Sequence, residues 1–138
     1  MNRNEIYLEM ESISENESFA RIVVAAFITR LNPTLEQLAD IKTAVSEAVT
    51  NAIIHGYGEK EGMIKLKCQL EGRELRLWVM DDGVGISDVK KAMEPLYTTK
   101  PEWERSGMGF TFMETFMDHL EVESKPEEGT TVYMVKQL

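Results

Sequence analysis

The sequence predicts an α+β fold in which a mostly antiparallel sheet is covered on one face by helices. Two observations lead to this fold class. Apolar residues alternate with polar ones in several short segments, as in half-buried strands, and they repeat at helical spacing in two longer segments. The predicted order is strand, two helices, hairpin, long loop, helix and hairpin. A chain of 138 residues is long enough to bury a core, so we expect residues 1–138 to form a single domain.

The first predicted elements are an alternating strand over residues 5–10 and a helix that begins near Ser14. Ser14 followed by Glu17 matches a capping box, in which the two side chains bond to backbone amides at the helix start. The Asn-Pro pair at 32–33 is typical of a helix end. The apolar residues at helical spacing are Phe19, Ile22, Val23, Ala26, Phe27 and Leu31.

A second helix is predicted between Thr34 and Gly56. Thr34 with Gln37 repeats the capping box, and Gly56 is a typical C-terminal stop. An apolar stripe on this helix predicts that one side is buried against the sheet. The stripe consists of Leu38, Ile41, Val45, Ala48, Val49 and Ala52.

The remainder of the chain is predicted as two hairpins that flank a long loop and a helix. Residues 82–106 lack a periodic pattern, and a connection of this length is typical of a lid or a binding loop. A helix is predicted at 108–119. The predicted strands, each pair joined by a glycine-containing turn, are 64–70, 75–79, 121–124 and 130–136.

Composition restricts the location and the partners. The formal net charge of -9 opposes extended contact with nucleic acid or anionic lipid, although a few local donors could still hold a single nucleotide. The first residues lack the apolar core of a signal peptide, and no segment has the roughly 20 apolar residues that span a bilayer. We therefore expect a cytoplasmic protein that contacts neither nucleic acid nor membrane directly and has protein partners.

Polar residues interrupt the second helix near its end. Glu47 and Asn51 stand four residues apart, so their side chains share one face, and His55 extends the row. The small residues around them leave space for a ligand. A solvated helix face is the alternative interpretation of this pair.

Two glycine motifs follow the second helix. The 81–85 turn, Asp-Asp-Gly-Val-Gly, comes directly after a strand, where Gly83 and Gly85 permit a close approach of the backbone. An ordinary β-turn would explain it as well. The second motif, Gly-Met-Gly at 107–109, opens a helix whose first N–H groups could hold phosphate oxygens, although a flexible hinge is the alternative. Further donors just before it are Thr98, Thr99, Lys100 and Arg105.

Taken in order, these motifs resemble the GHKL ATP-binding superfamily, which includes histidine kinases and gyrase B. The ordered set is an acidic residue and an Asn one turn apart, Asp-x-Gly-x-Gly after a strand, a long loop, Gly-x-Gly at a helix start and a late Gly-Thr-Thr. Segments 47–57 and 95–110 are similar to the anti-sigma F factors of spore-forming bacteria, and this likeness extends over nearly the whole chain. The resemblance implies a two-layer α/β sandwich of the GHKL type.

The resemblance also implies roles for individual residues in binding ATP or ADP with Mg²⁺. Asn51 would coordinate Mg²⁺, Glu47 would accept the proton of an incoming hydroxyl, and Asp81 would bind the exocyclic amine of adenine. Thr130 or Thr131 would support Asp81. The other implied nucleotide contacts are Gly83, Gly85, Thr98, Thr99, Lys100, Arg105, Ser106, Gly107, Met108 and Gly109.

The function that the resemblance implies is that of an anti-sigma factor with kinase activity. Such a protein binds and inhibits a sporulation sigma factor of the sigma F type. As an ATP-dependent serine kinase it also phosphorylates a STAS-type anti-anti-sigma protein. Arg21 matches the segment implicated in partner contact, and the family form is a homodimer. A nucleotide-gated sigma-binding module without significant kinase activity is one alternative, and a plain ATP hydrolase is another.

Overall fold

The computed structural model describes residues 3–58, 60–86, 88–94 and 109–138. In this part of the chain, five strands form one sheet in the order β1-β2-β3-β5-β4. Every neighbouring pair is antiparallel, which confirms the predicted sheet and both hairpins. The strands are β1 Arg3–Glu11, β2 Met63–Glu71, β3 Glu74–Asp81, β4 His119–Lys125 and β5 Gly129–Gln137.

The helices pack on one face of this sheet, as predicted. Inward-facing residues of β2 and β3 alternate with more exposed ones, and the inward set meets the apolar stripe of the second long helix in a single core. None of the helices in the described ranges is long and apolar enough to cross a membrane. The helices are α1 Glu15–Ile28, α2 Leu35–Asn51, α3 Val89–Ala92 and α4 Gly109–Phe116, with a 3₁₀ turn at Thr29–Leu31 and a π-helical segment at Ala52–Tyr57.

Helix α1 buries a different face from the one that the apolar spacing predicts. Phe19 and Ile22 are 50% and 62% exposed, whereas Ala20, Val24 and Ile28 are fully buried. Apolar residues surround most of this helix, so periodicity alone does not select the buried side. The stripe with the small Ala20 at its start is the one that packs onto the core.

The capping prediction is wrong for α1 and confirmed for α2. Ser14 makes no side-chain cap, because its backbone is helical (φ -60, ψ -30) and the Glu17 N–H donates to the Ser14 carbonyl at 3.2 Å. The Glu17 carboxylate accepts a hydrogen bond from Ser46 instead of closing the box. Thr34 is extended (φ -68, ψ 161); its hydroxyl accepts from the Gln37 N–H at 3.0 Å, and Gln37 Oε1 accepts from the Thr34 N–H at 2.9 Å.

The ends of two predicted helices differ from the structure. The single helix predicted up to Gly56 is α-helical only to Asn51 and continues as the π-helical segment, a feature that often marks functional sites. The last helix ends at Phe116 because pairing with β5 begins at once. The Asp118 N–H donates to the Val135 carbonyl at 2.8 Å.

Candidate functional site

Glu47 and Asn51 lie together on the flank of α2, half-buried and in contact with the start of α4. A β-carbon at Gly109 would lie 3.2 Å from Glu47 Oε2 and 3.2 Å from Asn51 Nδ2. A side chain at position 109 would therefore intrude between the two polar groups. The pair is not a simple solvated helix face, because it borders Gly109 of the second glycine motif.

The Asn51 amide is suited to a ligand. Its Nδ2 is buried and has no hydrogen-bond partner among the described residues, a condition that costs about 1–3 kcal/mol and favours a bound group. An amide oxygen is a ligand that Mg²⁺ accepts. In the described ranges, His, Cys, Asp and Glu form no cluster that could hold a metal ion. The unpaired Nδ2 is a donor and fits a hydrogen-bond acceptor such as a phosphate oxygen, while the amide oxygen is the atom that would hold a Mg²⁺.

Asp81 lies at the end of β3, with only 8% of its surface exposed. Its Oδ1 accepts a hydrogen bond from the Gly83 N–H at 2.9 Å. Burial raises the pKa of this carboxyl to about 6, with a further contribution from the neighbouring charge of Asp82. Backbone hydrogen bonds from Gly83 and Thr130 lower the pKa of Asp81 and offset part of this rise. Asp81 is thus a buried carboxylate with a raised pKa, a property common at functional sites.

The 81–85 turn is packed against neighbouring backbone at both of its glycines. A β-carbon at Gly83 would overlap the carbonyl of Gly56, and one at Gly85 would overlap the carbonyl of Lys125. Gly85 also has φ +74, a conformation that favours glycine. Gly56 in turn leaves room for Asp81, whose Oδ1 would be 2.7 Å from a β-carbon there. The turn is therefore a tightly fitted platform rather than a free loop.

The structure distinguishes the two threonines that the sequence left as alternatives. Thr130 is the register partner of Asp81 and lies on the helix-covered face, whereas Thr131 is paired with Met80 on the opposite face. A cavity of about 560 Å³ borders Asp81 and both threonines, and it reaches Val89 of α3. Its volume is within the range of small-ligand sites.

Sequence reasoning missed Ser124, which ties the turn to the β4–β5 hairpin. Its hydroxyl accepts from the Ile86 N–H at 2.7 Å, lies 2.8 Å from the Thr130 hydroxyl and is 2.9 Å from the Gly129 carbonyl. A serine at an inward position after Leu120 and Val122 was the available signal.

Arg21 and Glu47 border the same groove, of about 830 Å³, between α1, α2 and α4. The Arg21 guanidinium lies 3.5 Å from the Glu17 carboxylate and 3.2 Å from the Ser18 hydroxyl. Its Nε is buried without a hydrogen-bond partner among the described residues. The groove is further lined by Ser18, Leu35, Leu38, Ala39, Lys42, Thr43, Ser46 and Phe112.

Several predicted contacts lie outside the described residues and stay predictions. They are Thr98, Thr99, Lys100, Arg105, Ser106, Gly107 and Met108.

Comparison with protein families identifies the fold and its relatives. The family model described as "histidine kinase-like ATPase domain" matches residues 12–136 of this chain. The chain belongs to this family. Among its histidine kinase-like relatives, the anti-sigma F factor of Clostridium novyi (strain NT) is 58% identical over 100% of this chain and 97% of the relative. The anti-sigma F factor of Bacillus subtilis (strain 168) is 54% identical over 99% of this chain and 94% of the relative.

A solved structure confirms the histidine kinase-like fold class. The catalytic domain of the histidine kinase ThkA, in a nucleotide-free form, aligns with a TM-score of 0.58, covering 96% of this chain and 97% of that domain. At 19% sequence identity this likeness concerns the fold alone. The predicted α+β sandwich and the resemblance to anti-sigma F factors are both confirmed.

Proposed function

We propose that this protein is an anti-sigma factor that binds and inhibits a sporulation sigma factor of the sigma F type. We further propose that it is an ATP-dependent kinase that phosphorylates a serine of a STAS-type anti-anti-sigma protein. The names of its relatives support the first part. The observation that carries the second part is the contact of Glu47 and Asn51 with Gly109. The same helix continues to Gly56, which packs against the Asp81 carboxylate.

The adenine end of the site would be the cavity at Asp81. A buried carboxylate can accept a hydrogen bond from an exocyclic amine, and Thr130 is the neighbouring hydroxyl on the same face. The ionised form of Asp81 is the stronger acceptor. Burial, which raises the pKa of Asp81 to about 6, therefore also makes adenine binding sensitive to pH below that value.

The phosphate end would lie at Glu47 and Asn51. Bound Mg²⁺ and ATP would supply the transferable phosphoryl group and neutralise its charge. Asn51 would hold the ion through its amide oxygen. Glu47, one turn away, would accept the proton of the serine hydroxyl as that oxygen bonds to phosphorus and ADP departs. Thr98, Thr99, Lys100, Arg105 and residues 106–108 remain proposed phosphate contacts.

The groove beside Glu47 supports a role for Arg21 in partner contact. Because Arg21 and Glu47 border the same groove, a protein segment bound at Arg21 could present a hydroxyl to the Glu47 carboxylate. Lys42 adds a second cation to this lining. The groove therefore fits a protein acceptor better than water alone, which favours the kinase over the plain hydrolase.

Exposed apolar residues on the first strand, on the first helix and in the connection between them support the proposed homodimer. Tyr7, Ile13, Phe19 and Ile22 are 54%, 43%, 50% and 62% exposed. Burying such side chains between two copies is favourable by roughly 25 cal/mol for each Å² of apolar surface. A monomer mass in light scattering with ATP present would contradict this part of the proposal.

Incubation with labelled ATP, Mg²⁺ and the purified anti-anti-sigma partner tests the function. We expect label on one partner serine and none on a partner in which that serine is replaced by alanine. Binding of the sigma factor without phosphoserine would favour the nucleotide-gated module instead. Release of phosphate without any labelled protein would indicate an ATP hydrolase.

A further inference from the structure

The three backbone amides that follow Asp81 each donate to a different protein acceptor. The Asp82 N–H donates to the Tyr57 hydroxyl at 2.8 Å, and the Gly83 N–H donates to Asp81 Oδ1 at 2.9 Å. The Val84 N–H donates to the Gly56 carbonyl at 2.9 Å. These amides are therefore engaged within the protein, and the turn offers a ligand the Asp81 side chain rather than a row of N–H groups.

Tyr57 occupies a specific position in this arrangement. Its hydroxyl accepts from Asp82 and donates to the Met63 carbonyl at 2.6 Å, so it joins the turn to the start of β2. A β-carbon at Gly62 would overlap the ring, which shows how closely the backbone confines it. Partial burial raises the pKa of the Tyr57 phenol, so the hydroxyl keeps the proton that it donates to Met63.

Two successive residues of the π-helical segment both hold the turn. Gly56 contributes its carbonyl to Val84, and Tyr57 contributes its side chain to Asp82. The segment begins immediately after Asn51, so it joins the phosphate end of the site to the adenine end.

We propose that Tyr57 is a positioning residue for nucleotide recognition, acting through Asp82 to aim the Asp81 carboxylate at a base that carries an exocyclic amine. This inference rests on the proposed nucleotide site and adds the group that orients it. The Tyr57 hydroxyl fixes the backbone next to Asp81, and the Gly83 amide then fixes Oδ1.

Tyr57→Phe tests the proposal, because it removes the hydroxyl and leaves the ring. The matched control is Tyr133→Phe, a tyrosine whose ring packs against Trp78 on the open face of the sheet. In the nucleotide-free protein, we expect the Asp82 amide to exchange with deuterium about tenfold faster in Tyr57→Phe and at the wild-type rate in the control.

Binding of ADP and of inosine diphosphate provides the second measurement. Inosine lacks the exocyclic amine, so the wild type should prefer ADP. We expect Tyr57→Phe to weaken ADP binding by about fivefold and inosine diphosphate binding much less, because the loss of one neutral hydrogen bond misdirects Asp81. If Tyr57→Phe does not fold, Tyr57→3-fluorotyrosine weakens the acceptor in a folded protein and should produce a smaller change of the same sign.

Two results would overturn the inference, and they are distinguishable. An unchanged preference for ADP in a folded Tyr57→Phe protein would show that the hydroxyl does not orient Asp81, while leaving the proposed function intact. A wild-type protein that binds neither nucleotide would contradict the proposed function as well. The exchange rate of the Asp82 amide reports on the hydroxyl contact in either case.

Discussion

The α-carbon of Gly83 packs so closely against the carbonyl oxygen of Gly56 that any β-carbon at position 83 would overlap that oxygen. Gly83→Ala should therefore displace the 81–85 turn and abolish nucleotide binding. The control is Gly72→Ala, where φ is +60 but no atom lies near the added carbon. It should cost about 1–2 kcal/mol of unfolding free energy and retain ADP binding. Equal nucleotide affinity in the two variants, measured by calorimetry, would contradict the close packing.

Glu47→Gln should separate binding from transfer. The amide keeps the shape of the side chain but accepts a proton poorly, so transfer to the partner serine should fall by about 10²–10⁴-fold. ADP affinity should change little. Glu36→Gln, an exposed position in the first turn of α2, is the control and should retain full transfer. Transfer at the wild-type rate in Glu47→Gln would remove the proposed role.

Asp81→Asn should increase stability in a way that depends on pH. The pKa of Asp81 is raised from 3.8 to about 6, so the folded protein binds this proton more tightly than the unfolded chain does. The penalty for the ionised carboxylate is absent below about pH 4, grows between pH 4 and 6, and is constant above that range. Urea unfolding at about pH 7.5 should show that the unfolding free energy of Asp81→Asn exceeds that of the wild type by at most roughly 3 kcal/mol.

The same Asp81→Asn variant should show almost no change in unfolding free energy at about pH 3, where the carboxyl is largely protonated in both the folded and the unfolded state. It should also bind ADP more weakly at neutral pH, because an amide is a poorer partner for the adenine amine than a carboxylate. An identical stability difference at both pH values would mean that the pKa of Asp81 is not raised.

Thr34→Ala and Ser14→Ala form a matched pair of cap substitutions. Thr34 makes a complete capping box, so its loss should cost about 1 kcal/mol of unfolding free energy. Ser14 makes no cap, and its replacement should lower the unfolding free energy by only a few tenths of a kcal/mol. Thermal or urea unfolding measures both. Similar costs at the two positions would be inconsistent with the observed caps.

Arg21→Ala should weaken partner binding without affecting the nucleotide. Its guanidinium borders the groove beside Glu47, so truncation should lower affinity for the sigma factor or the anti-anti-sigma protein by at least about tenfold. Arg30→Ala, on the exposed 3₁₀ turn, is the control. Unchanged partner affinity in Arg21→Ala, with the control also unchanged, would assign Arg21 a purely structural contact with Glu17.

Local sequence patterns predicted most of the fold because the signals agree with the packing. The α2 stripe and the β2–β3 alternation each match a buried face, and the capping box matches the observed start of α2. The features that were mispredicted depend on distant partners. Ser14 has a helical backbone rather than the extended one of a cap residue, and the Glu17 carboxylate bonds to Ser46 on another helix. The buried face of α1 is selected by its fit to the core.

In the candidate site, too, the features set by local sequence were predicted and those set by distant contacts were not. The positions of Asp81, Gly83 and Gly109 followed from motifs, because each motif encodes a local backbone requirement. The roles of Tyr57 and Ser124 did not, since their hydroxyls bond to amides that are remote in sequence. That Thr130, and not Thr131, is the register partner of Asp81 required the strand pairing of the structure.

A crystal structure of the protein with ADP and Mg²⁺ tests the central claim most directly. We expect the adenine amine within hydrogen-bond distance of the Asp81 carboxylate, and the metal on the amide oxygen of Asn51. A nucleotide bound elsewhere, or crystals in which the cavity beside Asp81 stays empty at saturating ADP, would contradict the account.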